Sequence, residues 1–426
     1  MVARIPRENS HNVVHWLPVL AWICCGLLHV TRLNAGDWPQ VLGPQRSGVA
    51  TDEVLPDTLP APPNQLWSHP IGQGYAGPAV AGERVYIFHR IDGNERLESL
   101  DRRTGRPQWQ ADFSANYQGG IDPDLGPRCV PLVVPEANLV LAYGAAGSLH
   151  AVNLRDGRKM WTRELFAEYG APEGYFGAGS TPIVVDDRVL INVGGRGGAG
   201  LVALDLKSGR PRWKTTDEDA SYSSPIVLPA TTQSRVCFVT RYNALIVDPA
   251  DGKILARRPF GQRGPTVNAA SPVRCGDNVF VTASYGVGGA MLRTDDRDLT
   301  PRWQNDSSLS SQYNTPIYHV GHLYGIHGRE DVGRAELRCV DAETGRVAWN
   351  VPDFGVAHLL LAGDRLLILN TVGELRLVDA TPAGYRERSM VSLTKAKTRA
   401  LPALSSGCLF LRDNDADGGR VLCLAL

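Results

Sequence analysis

The sequence has few of the features that mark several protein classes. Its eight cysteines are scattered along 426 residues, which argues against a small scaffold held together by dense disulfides. The formal net charge is zero, with 44 Lys and Arg against 44 Asp and Glu, so no basic excess indicates a nucleic-acid partner. No amphipathic helical stretch of useful length is present, which disfavours a helical fold.

Only one long apolar run occurs, and it lies at the amino terminus. Arg4 and Arg7 precede this run, residues 16–30, and the small residue Ala35 follows it. Charged, apolar and small residues in this order predict a cleaved secretory signal over residues 1–36, and therefore a periplasmic or secreted protein. An uncleaved anchor is the alternative, but the run is shorter than the roughly 20 residues that a spanning helix needs. The mature chain is expected to be peripheral to a membrane at most.

One short phrase recurs along the rest of the chain. Asp or Asn stands four residues before a Gly, and Trp stands four residues after that Gly, as in Asp101, Gly105 and Trp109. The Gly suits a tight turn, and a Trp at a fixed distance from it can dock between repeats and bury a large flat side chain. The tryptophans assigned this docking role are Trp67, Trp109, Trp161, Trp213, Trp303 and Trp349.

A second element precedes each copy of the phrase, a proline that opens a short apolar strand. Alternating β-branched and aromatic residues between Gly, Asp and Asn turns predict antiparallel strands. The period of roughly 40 to 53 residues is typical of propeller blades, so we predict an all-β fold, an eight-bladed β-propeller of four-stranded antiparallel blades. The eight first strands are expected at Pro78, Pro131, Pro182, Pro225, Pro272, Pro316, near His358 and at Pro402.

The two ends of the repeat region predict how the ring closes. The last copy stops after its third strand, whereas an unmatched strand around Trp67 precedes the first complete blade. We therefore expect this amino-terminal strand to supply the outer edge of blade eight, because closure removes exposed sheet edges. Residues 65–426 form the predicted propeller. Residues 37–64 form a proline-rich leader, expected to lie extended on its surface because prolines oppose helix.

The phrase at this period resembles the tryptophan-docking repeat of the PQQ-repeat, quinoprotein-like propellers. That family contains quinone-dependent dehydrogenases and a non-enzymatic lipoprotein of the bacterial outer-membrane β-barrel assembly machinery. The dehydrogenases use an adjacent-cysteine disulfide, but the only adjacent cysteines here, Cys24 and Cys25, lie in the predicted signal. The resemblance implies an exported, non-catalytic binding or assembly scaffold of the cell envelope, a monomer without a cofactor.

Three partner and activity classes stay open from the sequence. Envelope or secreted proteins, or a glycan, are the expected partners of a non-catalytic propeller. A PQQ-dependent oxidoreductase with PQQ and calcium is one alternative, since the cofactor of such an enzyme carries the chemistry. A carbohydrate-binding or carbohydrate-active propeller is the other alternative.

Ligands of propellers generally meet the loops around the axis, which here precede each first strand. These loops carry aromatic and amide side chains, and Arg128, Arg241, Arg263 and Arg329 could add positive charge nearby. Such a ring suits a protein segment, a glycan or a flat molecule, although the tyrosines could instead plug a narrow axis. The predicted axial rim consists of Tyr75, Tyr175, Phe176, Tyr222, Asn268 and Tyr313.

The carboxyl-terminal hairpin carries two further predictions. Asp413, Asp415 and Asp417 alternate before a glycine, and carboxylates at alternate loop positions can converge on Ca²⁺, although a solvated hairpin loop is the alternative. Cys408 and Cys423 lie symmetrically about the centre of the hairpin, so a regular pairing would set them face to face for a disulfide.

Overall fold

The computed structural model describes residues 36–228, 234–264, 266–294, 298–415 and 418–426. All of the predicted signal except Gly36 therefore lies outside the described residues. Eight four-stranded antiparallel sheets make up the described chain, as predicted for an eight-bladed propeller. One short helix, α1 (Leu165–Tyr169), and a 3-10 turn (Pro135–Ala137) interrupt the strands. No helix in these ranges is both long and apolar enough to cross a membrane.

The first four blades each contain four consecutive strands. Blade 1 consists of β2 (Ala79–Ala81), β3 (Arg84–Ile91), β4 (Asn94–Asp101) and β5 (Pro107–Ser114). Blade 2 consists of β6 (Leu132–Val134), β7 (Leu139–Tyr143), β8 (Ser148–Asn153) and β9 (Lys159–Glu164). Blade 3 consists of β10 (Ile183–Val185), β11 (Arg188–Asn192), β12 (Leu201–Asp205) and β13 (Pro211–Thr215). Blade 4 consists of β14 (Ile226–Leu228), β15 (Arg235–Val239), β16 (Asn243–Val247) and β17 (Ile254–Pro259).

The remaining blades repeat this order until the last one. Blade 5 consists of β18 (Val273–Cys275), β19 (Asn278–Ala283), β20 (Gly288–Thr294) and β21 (Leu299–Asn305). Blade 6 consists of β22 (Ile317–His319), β23 (His322–Arg329), β24 (Arg334–Asp341) and β25 (Val347–Val351). Blade 7 consists of β26 (Ala357–Ala362), β27 (Arg365–Asn370), β28 (Glu374–Asp379) and β29 (Glu387–Ser392). Blade 8 consists of β30 (Ala403–Ser405), β31 (Cys408–Asp415), β32 (Gly418–Ala425) and β1 (Asn64–Ile71).

The ring closes as the sequence predicted. Strand β1 pairs antiparallel with β32, so the amino-terminal strand is the fourth strand of the last blade. It begins at Asn64, one residue earlier than expected. Strand β2 also contacts β30, which joins blade 1 to blade 8 at the axis. The eight first strands begin within one residue of the predicted prolines and of His358.

The antiparallel order gives the propeller two distinct faces. Loops that lead into the first strands, and the turns between second and third strands, share one side, which we call the entry face. Turns between first and second strands, and between third and fourth strands, share the other side, which we call the exit face. Any ligand of the axial loops must therefore approach from the entry face.

The tryptophan of one blade docks on the Asp-to-Gly turn of the next blade. In blade 1, the Asp101 carbonyl accepts a hydrogen bond from Gly105 N at 2.8 Å, and Gly105 adopts a positive φ of 68°. The indole of Trp67, from blade 8, covers this glycine and donates from Nε1 to Arg102 O at 2.9 Å. The same indole-to-carbonyl bond to the next blade is made by Trp109, Trp161, Trp213, Trp303 and Trp349.

Two blades lack the docking tryptophan. Ala256 in blade 4 and Ser389 in blade 7 occupy the corresponding positions, each just after the bulge of the outer strand. At blade 7, Leu59 of the leader donates its backbone N–H to Ser389 Oγ at 2.8 Å. Leu55 and Leu59 are buried with residues of blades 7 and 8, so the leader fills apolar space beside the missing indole.

The leader is more deeply integrated than a surface segment. Trp38 is 2% exposed and pairs with Val80 of β2, while Val49 pairs with Leu361 of β26. Arg46, which is 3% exposed, donates to Pro225 O at 3.0 Å, to Thr181 O at 3.2 Å and also to Pro182 O. The leader thus lies across the exit face at the propeller axis. The guanidinium of Arg46 extends from it into the central channel between the first strands.

Candidate functional site: the entry face

The central channel opens on the entry face, and we call this opening the mouth. On one side of the mouth, a network of ion pairs and hydrogen bonds is centred on Arg399. Its guanidinium contacts Glu330 of blade 6 at 3.0 Å and Asp122 of the loop between blades 1 and 2 at 3.2 Å. Tyr75 donates from its hydroxyl to Asp122 at 3.2 Å, and Tyr313 donates to Glu330 at 2.8 Å. Five entry loops or turns are therefore tied together by ion pairs and phenol hydrogen bonds.

The charges of this network reinforce each other. Burial opposes the charge of Arg399, but the hydrogen bond and charge of Glu330 outweigh it and raise the pKa of the guanidinium. The guanidinium carbons of Arg128 and Arg399 both lie 5.7 Å from the centroid of the Tyr75 ring. Cation and π-face attract at such distances, which orients the ring. Tyr75 and Tyr313 are therefore both bonded within the Arg399 network, and whether they bind a ligand or plug the axis stays a prediction.

Arg399 was not among the predicted rim residues, although the sequence carries a signal for it. It stands three residues before Pro402, as Tyr75 stands before Pro78 and Tyr313 before Pro316. The position three residues before the opening proline is therefore occupied by a cation in this loop and by aromatic rings in others, and the cation lies 5.7 Å from the Tyr75 ring.

The other side of the mouth has an exposed apolar surface. The hydroxyl of Tyr222 accepts hydrogen bonds from the backbone N–H of Tyr175 at 3.0 Å and of Phe176 at 3.1 Å. Phe176 contacts Tyr222 edge to face at 5.5 Å, while Tyr175 is 38% exposed. Ile121, which is 69% exposed, donates its backbone N–H to Tyr175 O at 3.1 Å. We call Ile121, Tyr175 and Phe176 the apolar patch.

Asn268 differs from the other predicted rim residues. It is 1% exposed, and its Nδ2 donates to three backbone carbonyls, those of Thr240 at 2.9 Å, Arg241 at 3.1 Å and Phe260 at 3.2 Å. Its amide group therefore holds the loop between blades 4 and 5, and in this structure it is not presented to a ligand.

One member of the predicted calcium loop, Asp413, is engaged by other side chains. Asp413 is 1% exposed and accepts hydrogen bonds from Thr394 Oγ1 at 2.8 Å and from Arg420 Nη2 at 2.6 Å. Asp417 and the side chain of Asp415 lie outside the described residues. In the described part of the chain, no three His, Cys, Asp or Glu side chains are grouped to hold a metal ion. Calcium at this hairpin stays a prediction that depends on Asp415 and Asp417.

The expected face-to-face pairing of Cys408 and Cys423 is wrong. Cys408 lies opposite Ala425, and Cys423 lies opposite Phe410, because the hairpin turns one residue later than the cysteine spacing implied. The two cysteines are diagonal neighbours on one face, and their thiols hydrogen-bond to each other. That bond lowers the pKa of Cys408 to about 7 and raises the pKa of Cys423. A disulfide between them stays a prediction.

Together the eight blades, the closing strand and the indoles docked on the next blade define a β-propeller of the PQQ-repeat type. Residues 93–351, more than half of the chain, match the family described as Outer membrane protein assembly factor BamB, and the chain belongs to this family. The curated relatives are distant. Outer membrane protein assembly factor BamB of Burkholderia pseudomallei is 25% identical over 273 residues, covering 54% of this chain and 69% of the relative. The protein of the same name from Shewanella oneidensis is 23% identical over 328 residues, covering 74% and 68%.

Solved structures share the fold at low identity. BamB from Moraxella catarrhalis matches with a TM-score of 0.61 at 16% identity, over 85% of this chain and 97% of that chain. The quinohemoprotein alcohol dehydrogenase ADHIIG from Pseudomonas putida HK5 matches with a TM-score of 0.59 at 12% identity, over 92% and 80%. Identities this low establish the shared fold alone, so they do not choose between a scaffold and a dehydrogenase.

The residues at the mouth fit a quinone and its metal ion poorly. A bound calcium ion takes carboxylate and amide oxygens as ligands. Here Asp122 and Glu330 are both paired with Arg399, and Asp124 accepts hydrogen bonds from Gly74 N and Gly126 N, each at 2.9 Å. A metal-bound quinone would have to break these contacts before it could enter.

Proposed function

We propose that this chain is an exported, non-catalytic propeller that binds an envelope protein through the apolar patch of its entry face. The observation that carries the proposal is the exposure of Ile121 and Tyr175 on backbone that is itself hydrogen-bonded. Its relatives are named as outer membrane protein assembly factors, which supports a partner in the envelope. Export by the predicted signal, residues 1–36, is part of the same proposal.

The patch has the physical properties of a docking surface. A few large apolar or aromatic side chains supply most of the binding energy in protein interfaces. The hydroxyl of Tyr222 fixes the backbone of Tyr175 and Phe176, and the Arg399 network fixes the neighbouring loops. A surface that is already ordered loses little entropy on binding, so even a small patch can bind well.

The experiment compares two full-length variants in cells with an envelope. In the patch variant, Ile121→Asp and Tyr175→Ser remove the apolar contacts. In the control, Val54→Asp changes a residue that is 90% exposed in the leader. Each protein carries a tag, and envelope proteins that cross-link to it are identified by mass spectrometry. We expect one outer-membrane assembly component to be lost from the patch variant and kept by the control; equal capture by both would contradict the proposal.

The quinone alternative is tested with the same purified protein. Addition of PQQ and Ca²⁺ is expected to leave the absorbance of the quinone unchanged and to produce no dye-linked oxidation of alcohols or sugars. A shifted quinone spectrum together with substrate-dependent dye reduction would favour the oxidoreductase instead.

A further inference from the structure

A cavity opens on the entry face, away from the apolar patch. It has a volume of about 640 Å³ and lies between the loop that joins blades 4 and 5, the loop that joins blades 5 and 6, and the β19–β20 and β23–β24 turns. Its wall includes Gln262, Arg263, Tyr285, His327, Arg329 and Arg334. We call this cavity the basic cleft.

The floor of the basic cleft is rigid. The guanidinium carbon of Arg329 lies 4.2 Å from the centroid of the Tyr285 ring, and Arg329 Nε donates to Asp331 at 3.0 Å. Gln312 donates to the Tyr285 hydroxyl at 2.9 Å and to Asp331 at 3.1 Å. A ligand would therefore meet a preformed stack of a cation on an aromatic ring.

The arginines at the rim of the cleft are free to bind an anion. Arg263 and Arg334 are exposed, and among the described residues neither guanidinium has a hydrogen-bond or ion-pair partner. The two carboxylates in the wall are already engaged: Asp306 accepts from Ser310 Oγ at 2.6 Å, and Glu336 pairs with Arg338 at 3.1 Å. The rim thus presents unpaired positive charge from the connection between blades 4 and 5 and from the start of β24 in blade 6.

His327 adds a neutral donor. Its Nδ1 accepts a hydrogen bond from Ser310 N at 3.2 Å, so the neutral ring carries its proton on Nε2. Burial and the charge of Arg338 lower the pKa of His327, against the opposing charges of Glu336 and Asp306. The ring is therefore neutral at neutral pH, and Nε2–H is the donor that it can offer to a ligand in the cleft.

We propose that the basic cleft binds an acidic peptide segment, with its carboxylates on Arg263 and Arg334 and its chain against Tyr285. Guanidinium groups bind carboxylates through paired, charge-assisted hydrogen bonds. A polyanion such as a membrane surface or a nucleic acid is disfavoured, because the chain has no net charge and Asp306 and Glu336 lie in the same wall. This site uses other loops than the apolar patch and can succeed or fail independently of it.

The test uses the full chain and two fluorescein-labelled peptides, one of alternating glutamate and glycine and one with glutamine in place of glutamate. Anisotropy is measured with the unchanged protein, with the double variant Arg263→Ala and Arg334→Ala, and with Arg293→Ala. Arg293 is an exposed arginine on β20 outside the cleft, and it serves as the matched control. We expect binding of the glutamate peptide alone, weakened about tenfold or more in the double variant and unchanged in the control.

Two further measurements test whether the loss of binding comes from the cleft itself and not from a change in folding. Both replaced side chains are exposed, so the urea midpoint of the double variant should equal that of the unchanged protein. The glutamate peptide should also shift the ring resonances of His327. Equal affinity in all three proteins, equal loss in the control, or displacement of the peptide by an equimolar amount of inorganic phosphate would overturn the assignment.

Discussion

Trp67 and Gly105 meet across the point where the propeller closes. A Cβ placed on Gly105 would lie 2.6 Å from Cε3 of the Trp67 ring, which is closer than carbon atoms can approach. The strand that carries Trp67 is the first of the chain and completes the last blade, whereas Gly105 belongs to blade 1. One glycine therefore links local turn geometry to ring closure.

Gly105→Ala should destabilise the fold by about 2 to 4 kcal/mol, since a clash with a buried ring adds to the cost of a positive φ. Gly93→Ala is the matched control, because Gly93 has a φ of 76° but no described atom within 4 Å of the added Cβ. Its cost should be about 1 kcal/mol, from the backbone alone. Urea unfolding followed by tryptophan fluorescence measures the free energy of unfolding of both variants. Equal losses would show that the indole of Trp67 moves aside at no cost.

Arg46→Met should destabilise the protein by about 3 kcal/mol, because three buried carbonyls lose their donor. Burial lowers the pKa of Arg46 to about 9, so the guanidinium is still charged at neutral pH. Arg155→Met, an exposed arginine in a turn of blade 2, should change the free energy of unfolding by less than about 0.5 kcal/mol. A negligible effect of Arg46→Met in the same urea experiment would mean that the leader contributes little to stability.

The stability of the fold should depend on pH through the ionisation of Glu98. Burial opposes its charge, but the hydrogen bond from His69 and the nearby charge of His89 outweigh burial and lower the pKa of this carboxyl to about 2, from 4.5. The charged form stabilises the fold fully above pH 4.5, and this contribution is lost as the pH falls through 2. The bond from His69 of β1 to Glu98 of β4 measures 2.7 Å and spans the closure.

Melting temperatures between pH 4.5 and 2 test this dependence. Glu98→Gln should be less stable than the unchanged protein at neutral pH, and its melting temperature should fall less steeply with acid. Glu136→Gln, at an exposed acid in blade 2, should reproduce the unchanged profile. Parallel profiles for all three proteins would show that the His69 contact does not control acid stability.

Cys408 should be the most reactive of the described cysteines. The hydrogen bond from Cys423 lowers the pKa of the half-buried Cys408, which favours its thiolate, whereas burial raises the pKa of Cys237 and Cys275 to about 12. Brief iodoacetamide treatment of the reduced protein should therefore modify Cys408 first, as read by peptide mass. Oxidised glutathione should convert Cys408 and Cys423 into a disulfide with loss of two hydrogen atoms and release of reduced glutathione. Two free thiols after this treatment would contradict the pairing.

The sequence was sufficient to predict the blades because each blade is built from local information. The Asp-to-Gly turn, the proline before seven of the eight first strands and the alternation of apolar residues all act within one repeat. The period and the length of the repeat region together give the number of blades. Closure by the strand of Trp67 followed from one unmatched strand at the start of the repeat region and a last copy that lacks its fourth strand.

The same local reasoning failed where register or distance mattered. Cys408 and Cys423 are offset because the turn and the buried side of β31 set the register, and symmetry of spacing does not. Asn268 was predicted at the axial rim from its residue type, but the structure buries it, and its Nδ2 donates to three backbone carbonyls that the fold brings to it.

By itself, the sequence determined a closed ring of eight blades with docked indoles, since those contacts join neighbours in a repeating order. Only the tertiary structure decided what the two ends of the axis present. Arg399 meets Asp122 and Glu330, and Arg46 enters the channel, because ring closure brings together loops that are far apart along the chain. The spacing of residues in a sequence carries no measure of such distances, whereas the curvature of the closed ring fixes them.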